Sequence, residues 1–128
     1  MIASAWLGRT VSARRSRWAH ALGGSAWILP FAVVAEMRFG ARVAAWGSRR
    51  TAALERLIAN TQVSPPLPEV IAAYVDLRTW CVRNGHGLGA KDHEADRWVA
   101  ATALAGDLPL ATDDGIFDGV HGLKHLRP

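Results

Sequence analysis

Four acids stand where the chain changes direction. Asp96 opens the apolar run WVAATALA at 98–105, Asp113 and Asp114 precede Gly115 just after LPLAT at 108–112, and Glu36 follows the apolar stretch AWILPFAVVA at 26–35. Carboxylate oxygens are hard donors, and a cluster of three can hold Mg²⁺ or Mn²⁺, which activates water and stabilises a charged phosphoryl transition state. Each acid also has a plain local account. Asp96 suits a helix N-terminus, Asp113-Asp114-Gly115 suits a turn, and Glu36 suits the wet face of a helix; only jointly do they carry chemistry. No Ser-His-Asp, Walker or zinc spacing competes, and Cys81 is the only cysteine. His86 and His93 bracket Asp92 at no standard zinc spacing, so they read as solvated loop residues.

Positioning such acids requires strands that end, and helices that begin, on one rim. Residues 26–32, AWILPFA, read as a short buried strand flowing into a helix, with Pro30 weakening its centre. Val33, Val34, Met37 and Ala41 recur at helical spacing up to Gly47, which places Glu36 in the first turn. Ser48 is the expected cap of a second helix reaching about Asn60, with Ala53, Leu54, Leu57 and Ile58 on its buried side. SPPLP at 64–68 is expected to be an interhelical loop. Val70, Ala73, Tyr74, Leu77 and Cys81 define a third helix stopped by Asn84-Gly85. After the loop HGLGAKDHEA, a helix over about 95–105 is apolar nearly all round and should be buried. LPLAT is then a short strand, GIFDGV a short helix or loop, and LKHL a last strand. Strands alternating with helices predict an α/β fold with a parallel sheet, in which sites gather at the strands' carboxyl ends. Glu36, Asp96 and Asp114 are expected to converge there.

At 128 residues the chain is expected to be one domain over 1–128. Half its residues are apolar and its mean hydropathy is +0.07, which favours neither disorder nor a membrane span. No secretory pattern opens the sequence, so a cytoplasmic location and no membrane partner are expected. Charge is unevenly spread: residues 1–56 hold nine Arg against Glu36 and Glu55, or +7, and residues 57–128 hold six basic and nine acidic side chains, or −3. A basic half beside an acidic cluster suits a phosphodiester substrate, although an Arg- and Ala-rich coding bias produces the same composition. Trp6, Trp18 and Trp46 lie among the arginines where they can stack on bases; packing is the simpler account for them, as for Trp80 and Trp98.

The run ADRWVAATALAGDLPLATDDGIFDGVHGL at 95–123 resembles the C-terminal half of PIN-domain ribonucleases of the VapC toxin type. In that family an aspartate precedes an (I/V)AATA helix and a second lies in a strand-end T-x-D-x-x-F motif, matched here by Asp96 before VAATA and by Thr112-Asp113-Asp114 with Phe117. VVAEMRFGA at 33–41 is similar to the family's (V/L)-A-E-L-x-x-G-A segment, whose glutamate matches Glu36. The resemblance spans about residues 26–126. It implies a PIN-like parallel sheet flanked by helices, Mg²⁺- or Mn²⁺-dependent RNA cleavage that stops translation, a homodimer, and a cognate antitoxin that blocks the site. By the same resemblance Glu36, Asp96 and Asp114 ligate the metal and Thr112 orients a water on it, while Asp113 occupies the motif's variable position.

One motif is missing. The family opens on a hydrophobic strand ending in an aspartate, whereas no acid precedes Glu36 here and no aspartate precedes Asp76. The N-terminal strand is therefore expected to be missing or truncated, leaving a sheet edge open to pairing with another chain. Either the true start lies upstream or the frame is an inactive remnant; the intact downstream motifs favour the first. Beside the ribonuclease toxin stand two other readings, a non-catalytic PIN-like remnant that binds an antitoxin and a basic nucleic-acid-binding domain working through Arg14, Arg15 and Arg17.

Overall fold

A computed structural model describes residues 2–3 and 27–126. Five short parallel strands form one sheet in the order β3-β2-β1-β4-β5. They are β1 Ile2–Ala3, β2 Ile28–Pro30, β3 Gln62–Ser64, β4 Leu110–Ala111 and β5 His125–Leu126. Among the described residues the α-helices are α1 Phe31–Val43, α2 Ser48–Ala59, α3 Pro68–Asn84 and α4 Glu94–Ala105.

The N-terminal strand is thus present, as the two-residue β1. Ile2 pairs with Ile28 on one side and with Leu110 on the other, and Ala3 pairs with Ala111, so β1 fills the centre of the sheet. The open central edge expected from the sequence does not arise. A further difference lies at β3, where Gln62, Val63 and Ser64 pair with Ile28, Leu29 and Pro30 in a stretch expected to be loop. Pro30 is tolerated because it ends β2 beyond the single β1 rung, and its fixed φ of −62° leads directly into α1. Because α1 begins at Phe31, Glu36 lies in its second turn, not its first. Ser48 is the first residue of α2 and not its cap; Gly47 holds that position without a side-chain hydrogen bond.

The helix stops follow simple chemistry. Gly85 ends α3 in the left-handed conformation at φ 63°, which a residue with a Cβ adopts only under strain. α4 is buried as its composition predicts: Ala100 and Ala101 are fully shielded, and small side chains let it approach α3 and the sheet closely. Leu29, Val33, Leu77, Cys81, Val99 and Leu110 belong to the main core, which lies between the sheet and α1, α3 and α4.

Candidate functional site

The chain fills the sheet outward from β1 in two directions, first to β2 and β3 and later to β4 and β5. The reversal falls between β1 and β4, and in open parallel sheets that point opens a crevice beyond the strands' carboxyl ends. Two elements deliver acids to that rim. Only four residues separate the end of α4 at Ala105 from the start of β4 at Leu110, so α4 runs opposite to the strand and its N-terminal turn, bearing Asp96, returns to the carboxyl rim. β4 itself ends at Ala111, and Thr112, Asp113 and Asp114 continue from it.

Local chemistry fixes both aspartates. Thr112 is 2% exposed, and its hydroxyl oxygen accepts a hydrogen bond from the Asp114 amide at 3.1 Å. Asp114 Oδ1 accepts from the Ile116 amide at 3.0 Å and so caps the single turn Gly115–Phe117. Asp96 is partly buried, and its Oδ2 accepts from His93 Nδ1 at 2.9 Å. Each aspartate keeps one carboxylate oxygen outside these bonds.

Glu36 lies on α1, which starts where β2 stops. It is exposed on the second turn of α1. The N-terminal turns of α1 and α4 are tied together by Trp98, whose ring meets Phe31 edge-on at 5.4 Å and stacks on Tyr74 at 4.0 Å. Trp98 is therefore the packing residue its sequence suggests, placed between the helices that carry Glu36 and Asp96.

Carboxylates are the right donors for Mg²⁺ or Mn²⁺. The rim, however, does not offer three at once: among the described residues no group of three His, Cys, Asp or Glu side chains is placed to hold a metal ion. Nor does the sequence supply an acid ahead of Glu36, so the end of the central strand contributes none. The donor chemistry fits a hard cation; the arrangement leaves its coordination open, and no reaction step is routed through one.

Several contributors escaped the sequence reading. His86 and His93 are not loose loop residues. His86 Nδ1 accepts from the Leu88 amide at 3.0 Å and its Nε2 donates to the Asp118 carbonyl at 2.6 Å, which fixes its tautomer. His125 Nε2 donates to the Thr112 carbonyl at 2.8 Å, holding β5 against the end of β4. Arg97, the one buried charge of α4, is 2% exposed. Trp46 packs under Arg50, whose guanidinium lies 4.1 Å from the ring centroid, whereas Trp6, Trp18, Arg14, Arg15 and Arg17 lie outside the described residues.

The family model for the PIN domain matches residues 2–123, nearly the whole chain. The chain belongs to the PIN-domain family. Three solved structures show how closely this PIN domain keeps the fold. The VapBC2 complex of Rickettsia felis, bound to a DNA fragment from its promoter, matches with a TM-score of 0.77 at 15% identity, covering 99% of this chain and 98% of the other. VapBC-1 from nontypeable Haemophilus influenzae gives 0.75 at 19%, covering 99% and 96%. VapBC-5 of Mycobacterium tuberculosis, described as a member of a family of toxin–antitoxin systems, gives 0.68 at 26%, covering 85% and 87%. No curated protein matches the chain by sequence. The PIN assignment agrees with the α/β parallel sheet and with the motifs around Asp96 and Asp114.

Proposed function

We propose that this PIN domain is the toxin of a toxin–antitoxin pair, a Mg²⁺- or Mn²⁺-dependent endoribonuclease that cuts RNA in the cytoplasm and so halts translation. The observation that carries this reading is the delivery of Asp96 and Asp114 to the switch-point rim of a PIN fold whose solved likenesses are toxin–antitoxin complexes. In it Glu36, Asp96 and Asp114 are the metal-binding carboxylates. A divalent ion bound by them supplies an activated water and neutralises phosphate charge. The chain's own groups prepare that rim: Thr112 sets the turn that presents Asp114, and His93 holds one oxygen of Asp96.

Two surface features support the RNA and protein partners. Residues 37–60, spanning most of α1 and all of α2, carry five Arg against Glu55, or +4, which equals the formal net charge of the whole chain. Such a surface attracts a polyphosphate strand. Ile71, Val75 and Val82 lie on one exposed side of α3, and Phe39 and Val43 form a second pair one turn apart on α1. Exposed apolar stripes of this kind suit protein contacts, here a homodimer and the cognate antitoxin.

Purified chain should cleave RNA only with added Mg²⁺ or Mn²⁺, and its expression should arrest growth. Asp96→Asn should abolish both, and an Asn variant as active as the parent would remove the nuclease reading. A second reading follows from the lack of any three-carboxylate group placed to hold a metal among the described residues: the chain binds and titrates an antitoxin without chemistry. A stable antitoxin complex together with no metal binding in calorimetry would select it.

A further inference from the structure

Arg97 follows Asp96 directly on α4, yet its side chain is 2% exposed and no carboxylate among the described residues pairs with it. A buried charge without a counter-ion is costly and persists only where dipoles replace water. Here the dipoles belong mainly to one loop. Nη1 donates to the Leu88 carbonyl at 3.0 Å and to the Ala90 carbonyl at 2.6 Å, while Nε donates to the Tyr74 hydroxyl at 3.3 Å. The Ala90 carbonyl is also the acceptor for the backbone amide of His93 at 3.1 Å. Arg97 and His93 thus share one oxygen, and His93 passes the restraint on through its 2.9 Å bond to Asp96.

We propose that Arg97 is a positioning residue for the Asp96 carboxylate, acting through the Ala90 carbonyl and His93. A methionine or leucine would fill the same space without desolvating a charge, so volume alone does not account for arginine here. What the guanidinium adds is geometry. Its Nη1, held in the rigid plane of the guanidinium, reaches the carbonyls at the two ends of the segment 88–90, pinning the loop that carries His93 against the helix that carries Asp96. The functional consequence rests on the reading of Asp96 as a metal-binding carboxylate; the restraint itself does not.

The test compares the full-length parent with R97M, R97K and H93A. Hydrogen exchange reads the loop, Mn²⁺ binding by electron paramagnetic resonance reads the carboxylate, and exchange in α3 and the sheet reads global stability. R97M should speed exchange about tenfold or more in residues 86–93 while sparing α3 and the sheet, and should weaken Mn²⁺ binding by about tenfold, as loss of an outer-shell partner does. H93A should weaken Mn²⁺ binding without loosening the loop, and R97K should fall between parent and R97M. Unchanged loop exchange in R97M, acceleration spread evenly over the whole chain, or parental Mn²⁺ affinity in R97M overturns the proposal. Should R97M fail to fold, H93A and R97K carry the test, and parental values for either variant in both readouts overturn it. If the parent itself binds no Mn²⁺, the metal reading of Asp96 fails, and the loop exchange still decides whether Arg97 holds the loop.

Discussion

Replacing Trp98 by leucine tests whether the rim is held together by aromatic contacts between α1, α3 and α4. Trp98 touches Phe31 edge-on at 5.4 Å and stacks on Tyr74 at 4.0 Å, so the leucine loses both pairings while keeping some apolar bulk. At roughly 0.5–1.5 kcal/mol per aromatic pair beyond area burial, the two sum to about 1–3 kcal/mol. Unrecovered apolar area adds to this, so a loss of about 2–3 kcal/mol is expected. That is a large share of the about 5–15 kcal/mol that holds a domain together. Urea unfolding of the parent, W98L, F31L and the double variant forms a cycle that isolates the contact between the two helix starts. A coupling of about 1 kcal/mol is expected. A coupling below about 0.3 kcal/mol, indistinguishable from additivity, would show that α1 and α4 are not joined through these rings.

Three other outcomes are expected. Burial pushes the Cys81 thiol above its ordinary 9.0, with the nearby Arg97 charge opposing the shift. The folded chain therefore keeps the thiol neutral where the unfolded chain ionises it, so this stabilisation is full below about pH 9 and fades above it; urea midpoints should fall from pH 8 to pH 10 more in the parent than in C81A. Hydrogen bonds from Arg38, at 3.0 and 2.9 Å, hold the Glu55 carboxyl below its ordinary 4.5. Stabilisation from this pair is present above pH 4.5 and lost as pH falls through the lowered value, and an NMR titration of Glu55 should move upward in R38Q, less so at high salt because both groups are exposed. Finally, R49Q/R50Q should weaken binding of single-stranded RNA measured in EDTA and reduce its salt slope by roughly 1.4, at about 0.7 per phosphate contact. An unchanged slope would place the strand elsewhere.

The helices were readable because each repeats a signal over many residues. Val70, Tyr74, Leu77 and Cys81 are all buried on α3, and the alanine-rich α4 is shielded as its composition implies. The strands offered no such length. At two or three residues, none shows the alternation that identifies a strand, and β3 hides in a polar stretch where Gln62 and Val63 remain exposed beside two prolines. The positions of Asp96 at a helix start and of Asp114 after a strand were legible, as was the family from its motifs. The groups that hold them were not: the three-residue step from His93 to Asp96 says little without the turn between them, and Arg97 finds its acceptors in residues 74, 88 and 90, across a helix and a loop.

The two-residue β1 has a kinetic consequence. Its rung with β4 joins Ile2 to Leu110, residues separated by 108 positions, and among the described residues it is the strand pairing that unites the β2–β3 half of the sheet with the β4–β5 half. The entropy lost in closing so long a loop must be met before two rungs of hydrogen bonds return anything. The helices and the two outer pairs can therefore form early, and the rate of folding should be set by the late insertion of this short segment between them. Variants at Leu110 or Ala111 should accordingly unfold faster with little change in folding of the helices, so the centre of the sheet acts as the closing latch of the domain.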